Sequence, residues 1–322
     1  MTSTLIRDGP AEGAARATYP SYMTEVAWTD TDPLKLRVEQ DGETITLMTY
    51  RLAAAEGQRK GVVFYIHGFG AYCEKSAYML KQLADRGYEV FALDQRGFGN
   101  SGGQRGLFES QKVIYGDLYL FVYRAIQQYK LDLEKVPLFL VGKSFGGALA
   151  FNLALRYPQL FKGFALVAPF FQHKEDTIDK YQYAFKFCNI FQLFYSFTLK
   201  DYPAQYQFIG KDPKIVHQAK ISTLVHFYDE QQYARKHAPK MATPFILINA
   251  TEDATVRNST NKEIVQLVKN PANKIVELRG ADHLTITYDP AYAEQVYGQI
   301  ADYFDTLLPS GEAKGLELIH FD

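Results

Sequence analysis

Cysteine is nearly missing from this chain: Cys73 and Cys188 are its two, among 322 residues. Two thiols are too few for a disulfide framework, and no C-x-x-C pair is present to hold zinc. Free thiols in a reducing compartment are therefore expected. An excess of charge of either sign is also missing, since 35 Lys+Arg against 36 Asp+Glu leave a net charge of -1. Nucleic acid needs a basic footprint and is excluded as a partner. No apolar run approaches the ~18 residues of a membrane span. Phe164 to Phe171 is among the longest. Arg7 and Asp8 stand where a signal peptide needs an apolar stretch. These absences predict a cytoplasmic protein. No internal repeat or low-complexity segment is visible.

What is abundant is aromatic: 23 Phe, 23 Tyr and one Trp make up 15% of the chain. A chain of this length with ordinary hydrophobic content buries a large core, and it suits two domains or one large α/β domain with an insertion. The pattern along the chain chooses the second. Residues 1–30 are read as an N-terminal arm. Leu34, Leu36, Val38 and Ile45, Leu47 alternate around Asp41-Gly42, as in a β-hairpin. From residue 61, continuous apolar runs alternate with amphipathic stretches. Strands are expected at about 62–66, 88–93, 136–141, 163–167, 244–249 and 274–278. Helices are expected between them and over 290–307. This is the signature of a mostly parallel sheet covered on both faces by helices. The alternation fails between 171 and 241, which carries no buried-strand pattern. Hence 31–170 and 242–308 form an α/β core, 171–241 is a helical cap or lid, and 309–322 is a polar tail.

One motif carries chemistry. Phe139-Leu140-Val141 ends a strand, Gly142-Lys143-Ser144-Phe145-Gly146-Gly147 follows, and Ala148-Leu149-Ala150-Phe151 begins a helix. G-x-S-x-G at a strand-to-helix turn is a nucleophile elbow. The turn is so tight that the serine backbone is strained and its hydroxyl lifted above the sheet. Gly142 and Gly146 leave room where a Cβ would strike neighbouring backbone. The bland alternative, a glycine-rich turn with an incidental serine, does not explain the strand before it and the helix after it.

A serine hydroxyl needs a base, and the base needs an orienter. Of seven histidines, His283 lies just past the last expected strand, in Gly280-Ala281-Asp282-His283-Leu284. Reactive groups of open α/β sheets gather at the strands' carboxyl ends, and in this fold the order is Ser, acid, His. The acid should follow the strand at 245–249. Asp253 and Glu252 both qualify, and Asp253 is preferred. Asp282 is too close in sequence to orient His283. The N–H of Phe145 and that of Phe69, in His67-Gly68-Phe69-Gly70, are candidates for the oxyanion hole. His67 itself is read as structural. Gly97-Phe98-Gly99-Asn100-Ser101-Gly102 fits a dinucleotide fingerprint, but coil follows where the helix should begin.

Taken together, His67-Gly68-Phe69-Gly70, Asp94-Gln95-Arg96-Gly97-Phe98-Gly99-Asn100-Ser101, the elbow, Asp253 and Gly280-Ala281-Asp282-His283 resemble an α/β-hydrolase of the monoacylglycerol lipase and lysophospholipase-like group, over roughly residues 34–308. The resemblance implies Ser144 as nucleophile, Asp253 and His283 as its partners, Phe69 and Phe145 as oxyanion donors, no cofactor and no metal. It also implies a helical cap. The sequence departs from the group at three places. Ala71-Tyr72-Cys73 stands where a polar pair is usual. Phe98 replaces a histidine in Gly-His-Gly, and Lys143 replaces the histidine common before the nucleophile.

Residues 171–210 hold twelve aromatics. Part of that set, with Phe171, Phe194, Tyr195 and Phe197 as candidates, is expected to line an apolar channel over Ser144, although cap core is the alternative for each. Lys180, Lys186 and Lys200 lie among them, so contact of the cap with a membrane surface is a further expectation. The expected partner is a small-molecule ester of a single acyl chain. Lysophospholipase, thioesterase and acyltransferase chemistry use the same triad, and a ligand receptor on a dead hydrolase is the non-enzyme alternative.

Overall fold

The fold is seen in a computed structural model, which describes residues 19–40, 42–54, 59–175, 180–184, 194–196, 202 and 204–308. Eight strands form the central sheet: β1 (Asp30–Thr31), β2 (Thr49–Leu52), β3 (Gly61–Ile66), β4 (Tyr88–Leu93), β5 (Leu138–Lys143), β6 (Gly163–Val167), β7 (Phe245–Ala250) and β8 (Lys274–Leu278). Their order is β1-β2-β4-β3-β5-β6-β7-β8. β1 and β2 join antiparallel, and β2 joins β4 antiparallel. All other neighbours are parallel.

Strands β3 to β7 are buried along their whole length. This is why they read as mainly apolar runs: helices cover both faces, and the polar exceptions Glu89, Lys143 and Asn249 are buried with the rest. Among the described residues, six helices of nine residues or more accompany the sheet: α1 (Ala77–Asp85), α2 (Gln111–Gln128), α3 (Phe145–Arg156), α4 (Ile221–His237), α5 (Asn258–Leu267) and α6 (Pro290–Asp305). Sequence chemistry sets two of their starts. Ser110 caps α2 by accepting from Val113 N at 3.2 Å. Asp289 caps α6 by accepting from Ala291 N at 2.9 Å, with Pro290 in the first turn, where its missing N–H costs nothing.

The chain runs from β3 to β4 on one side, then crosses back to β5 on the other side of β3. The order reverses outside the carboxyl ends of β3 and β5, the place where open α/β sheets gather their reacting groups. Gly68 and Phe69 follow β3, and Ser144 follows β5, so both segments lie there.

The hairpin expected around Asp41-Gly42 is present as Leu36–Gln40 paired antiparallel with Glu43–Leu47. Other expectations need correction. Residues 19–30, read as part of an N-terminal arm, are folded against the core: Tyr22–Glu25 is a helical turn, Met23 is buried, and Asp30 and Thr31 form one edge strand of the sheet. The stretch 171–241 is also not free of strands, since Phe194–Ser196 pairs antiparallel with Gln218–Lys220. Strands of two or three residues are too short to show a period of two. The expected arm before residue 19 and the tail 309–322 lie outside the described residues, as does Cys188.

Candidate active site

Ser144 has φ 54° and ψ -122°, a conformation that L-residues avoid. The surroundings over-determine it. Its N–H donates to Val167 O at 2.9 Å, tying it to β6. Its carbonyl accepts from Gly147 N at 2.9 Å, Ala148 N at 3.3 Å and Phe170 N at 2.9 Å. A Cβ on Gly142 would lie 2.3 Å from Gly146 O, and one on Gly146 would lie 2.2 Å from Ile66 O. Both contacts are with backbone, so the elbow closes only with glycine at these two positions.

His283 follows β8 through the turn at Gly280 and Ala281. Asp282 organises this turn by accepting from Leu284 N at 2.7 Å and Thr285 N at 2.8 Å. The imidazole lies between two partners. Nε2 is 3.0 Å from Ser144 Oγ, and Nδ1 is 2.7 Å from Asp253 Oδ2. Asp253 follows β7 and is 1% exposed. Its other oxygen accepts from Thr255 N and Val256 N, both at 2.8 Å. Burial alone would raise this carboxyl's pKa. The His283 ring and the two N–H donors outweigh burial and hold it below the ordinary value. Glu252, which also qualified by sequence, is exposed, and its N–H donates to Ala281 O at 2.9 Å.

Phe145 is the first residue of α3, where a backbone N–H has no carbonyl behind it in the helix. The β3 loop comes close on the other side: a Cβ on Gly68 would lie 3.1 Å from Ser144 Cβ. Phe69 is the next residue. A hydroxyl, an imidazole that can take its proton, a buried carboxylate behind the ring and N–H groups near by are the parts that acyl transfer requires.

A family model described as "Serine aminopeptidase, S33" (Hydrolase_4) matches residues 57–290. The chain belongs to this hydrolase family. Monoglyceride lipase of Homo sapiens is 23% identical over 255 residues, which cover 76% of this chain and 82% of that protein. The enzyme of that name from Mus musculus is 34% identical over 116 residues, 35% of this chain and 36% of its own length. Among solved structures, a soluble variant of monoglyceride lipase from Saccharomyces cerevisiae in complex with a substrate analogue superposes with TM-score 0.76 at 20% identity. That match covers 91% of this chain and 100% of the other, and it shows the α/β-hydrolase fold.

Within this family frame, the remaining singled-out residues find their places. His67 is buried. Its Nε2 accepts from Gln95 N at 3.0 Å, and its Nδ1 is 2.8 Å from Gly68 O. Burial pushes its pKa down to about 4, so it is a neutral strut of the loop. His67, Cys73 and Asp94 have ligand atoms within 4.8 Å of one another. Each of those atoms already has a protein partner: Asp94 accepts from Cys73 N, Asn100 N and Tyr50 Oη, and Cys73 Sγ donates to Leu93 O. A metal would displace bonds that hold the loops. The glycine-rich stretch at 97–106 is folded onto itself: Gly97 N donates to Gly102 O at 2.8 Å, and α2 does not begin until Gln111.

Lys143 is 8% exposed, with Nζ 5.6 Å from the centroid of the Tyr288 ring. Burial lowers its pKa to about 8, against the pull of Asp253 and Asp282. Phe171 needs correction as a channel residue. It is 1% exposed and packs edge-to-face on Phe151 at 5.3 Å, so it belongs to the core. Phe194 and Tyr195 lie on the short strand of the insertion, and Phe197 lies outside the described residues.

Sequence reading missed the aromatic cluster beside Ser144. The rings of Phe98 and Phe227 both contact that of Phe69, at 5.2 Å each, and Phe227 also contacts Phe145 at 4.1 Å. These residues come from four separate segments. Local spacing carries no signal for such a cluster.

Proposed function

We propose that this chain is a serine ester hydrolase that cleaves carboxylic esters of a single acyl chain through an acyl-enzyme on Ser144. The observation that carries the proposal is His283 bridging Ser144 Oγ at 3.0 Å and Asp253 at 2.7 Å. His283 takes the Ser144 proton as Oγ attacks the ester carbonyl, then delivers it to the leaving alcohol. A water activated by the same ring then attacks the acyl-enzyme, releases the acid and frees Ser144. Asp253 holds the ring's orientation and stabilises the imidazolium. The N–H groups of Phe145 and Phe69 receive the oxyanion.

The relatives named monoglyceride lipase favour a monoacylglycerol-like ester, and so does the aromatic insertion, residues 171–241, acting as a cap. The family description includes aminopeptidases, which must hold a substrate ammonium with a carboxylate. Two buried carboxylates of the insertion are held by core side chains, Glu230 through Oε2 alone. Asp212 accepts from Tyr72 Oη at 2.6 Å and from Tyr19 Oη, while Glu230 accepts from Asn152 Nδ2 at 2.6 Å and from Tyr115 Oη. This favours esters over aminoacyl substrates.

No helix among the described residues is long and apolar enough to cross a membrane. Tyr181 and Tyr183 of the insertion are exposed, and they are where surface contact with a lipid source would be made. A panel of monoacylglycerols, lysophospholipids, acyl thioesters and aminoacyl anilides tests the proposal. Fastest turnover is expected on monoacylglycerols of medium or long chain. A preference for acetyl esters or for aminoacyl anilides would contradict it. A higher rate on lysophospholipid or thioester would move the substrate while keeping the triad.

A further inference from the structure

Two loops supply the proposed oxyanion donors, one after β3 and one after β5, and no covalent link fixes their spacing. Among the described residues of the insertion, Phe227 is a neighbour that their side chains, Phe69 and Phe145, share. Phe227 on α4 places its ring 4.1 Å from Phe145, tilted at 35°, and 5.2 Å from Phe69, edge-on at 81°. It also meets Phe170, the residue whose N–H holds the Ser144 carbonyl, at 5.7 Å. Phe227 is 2% exposed.

The helix behind this ring is braced against the core. Thr223 Oγ1 accepts from Phe108 N at 2.9 Å and donates to Gly106 O at 3.0 Å. His226 Nε2 lies 2.9 Å from Glu109 O. The ring of Phe108 closes on Phe145 at 5.3 Å from the core side. The insertion also grips the β3 loop by its backbone: Val216 N donates to Gly70 O at 2.9 Å, and a Cβ on Gly70 would lie 2.5 Å from Val216 O.

We infer that Phe227 is a positioning residue of the oxyanion hole, a ring wedged between Phe69 and Phe145 that fixes the distance between the two N–H donors. The inference rests on the assignment of Ser144 and its donors above. Phe227 touches no reacting atom. It acts because oxyanion donors stabilise charge only when held at about 2.7–3.1 Å from the oxygen. A misplacement of about 1 Å far from the chemistry costs on the order of 10²-fold in rate.

The test is Phe227→Leu, which keeps apolar bulk and removes the ring, assayed on a short-chain ester. The expected result is a fall in kcat of about tenfold to a hundredfold, with KM within about twofold. Acylation and deacylation should slow together, since both pass through an oxyanion. Binding of a trifluoromethyl ketone, which mimics the tetrahedral species, should weaken by the same factor. Phe227→Tyr, which retains the ring, should recover most of the rate, and Phe69→Leu with Phe227→Leu should lose no more than the worse single variant. An unchanged kcat in folded Phe227→Leu would overturn the inference, as would a change confined to KM and chain-length preference. Fluorophosphonate labelling of the same wild-type protein separates the two failures. A label on Ser144 with unchanged Phe227→Leu kinetics refutes the clamp alone, whereas a label elsewhere refutes the nucleophile and the clamp with it.

Discussion

Nδ1 of His283 lies 2.7 Å from Oδ2 of Asp253, although the two residues sit on different loops after different strands. Parallel neighbours β7 and β8 make this possible, because they deliver their carboxyl ends to the same edge of the sheet. The other oxygen of Asp253 is held by Thr255 N and Val256 N, so the carboxylate has one free face and the imidazole occupies it.

Asp253→Asn is expected to lower kcat by about 10³- to 10⁴-fold with the fold intact, because the amide cannot hold the ring in the required tautomer. Glu252→Gln, at an exposed position, should stay within a few-fold of wild type. Steady-state kinetics on both variants checks this, and the reverse ranking would reassign the acid.

Lys143→Met should stabilise the protein at neutral pH. Burial depresses the folded-state pKa of Lys143 from 10.5 to about 8. Below pH 8 both folded and unfolded chains carry this proton, and the cost of burying the charge is fully present. Between about 8 and 10.5 the unfolded chain binds more protons, so wild-type stability recovers as pH rises. A shift of this size corresponds to roughly 3 kcal/mol. Denaturant melts at pH 7 and pH 10.5 should show an advantage for Lys143→Met that shrinks at the higher pH.

His67 acts with the same sign in a lower pH window. Its folded-state pKa is near 4 instead of 6.5, chiefly because it is buried. As pH falls from about 6.5 through 4, the unfolded chain takes up a proton that the folded chain refuses, and stability is lost, by roughly 3 kcal/mol at the limit. Asp94, raised to about 6 by burial, contributes the opposite slope over part of that range in both proteins. His67→Gln should therefore lose less stability than wild type on acidification, as read from Tm between pH 7 and pH 4.

Two glycine substitutions should behave oppositely. Gly146→Ala drives a Cβ to 2.2 Å from Ile66 O and 2.4 Å from His67 O, and should cost about 3 kcal/mol or more. Gly116→Ala, at an exposed position inside α2 with nothing within 4 Å of the added Cβ, should stabilise by about 0.5–1 kcal/mol. Thermal melts of the two variants check this.

Much of this was legible in the sequence because strands buried on both faces are mostly apolar. Val62 to Ile66 and Phe139 to Val141 therefore announce themselves, and the elbow between β5 and α3 is a local motif that needs all its glycines in order. The hairpin at 36–47 was visible through its alternation. The strands Asp30–Thr31 and Thr49–Leu52 were missed, since they are short: the first pairs only with the second, and the second is placed by β4, far along the chain. Phe171 was misplaced because an aromatic that packs on Phe151 in the core looks the same in sequence as one lining a channel. The contact of Phe227 with Phe69 and Phe145 spans more than 80 positions, a separation at which spacing carries no information.

Intact-protein and peptide mass spectrometry after a fluorophosphonate probe tests the central claim most directly. One adduct on Ser144 is expected, absent in Ser144→Ala and formed much more slowly in His283→Ala. Equal labelling of Ser144→Ala, or no adduct on the folded wild-type protein, would contradict Ser144 as the nucleophile.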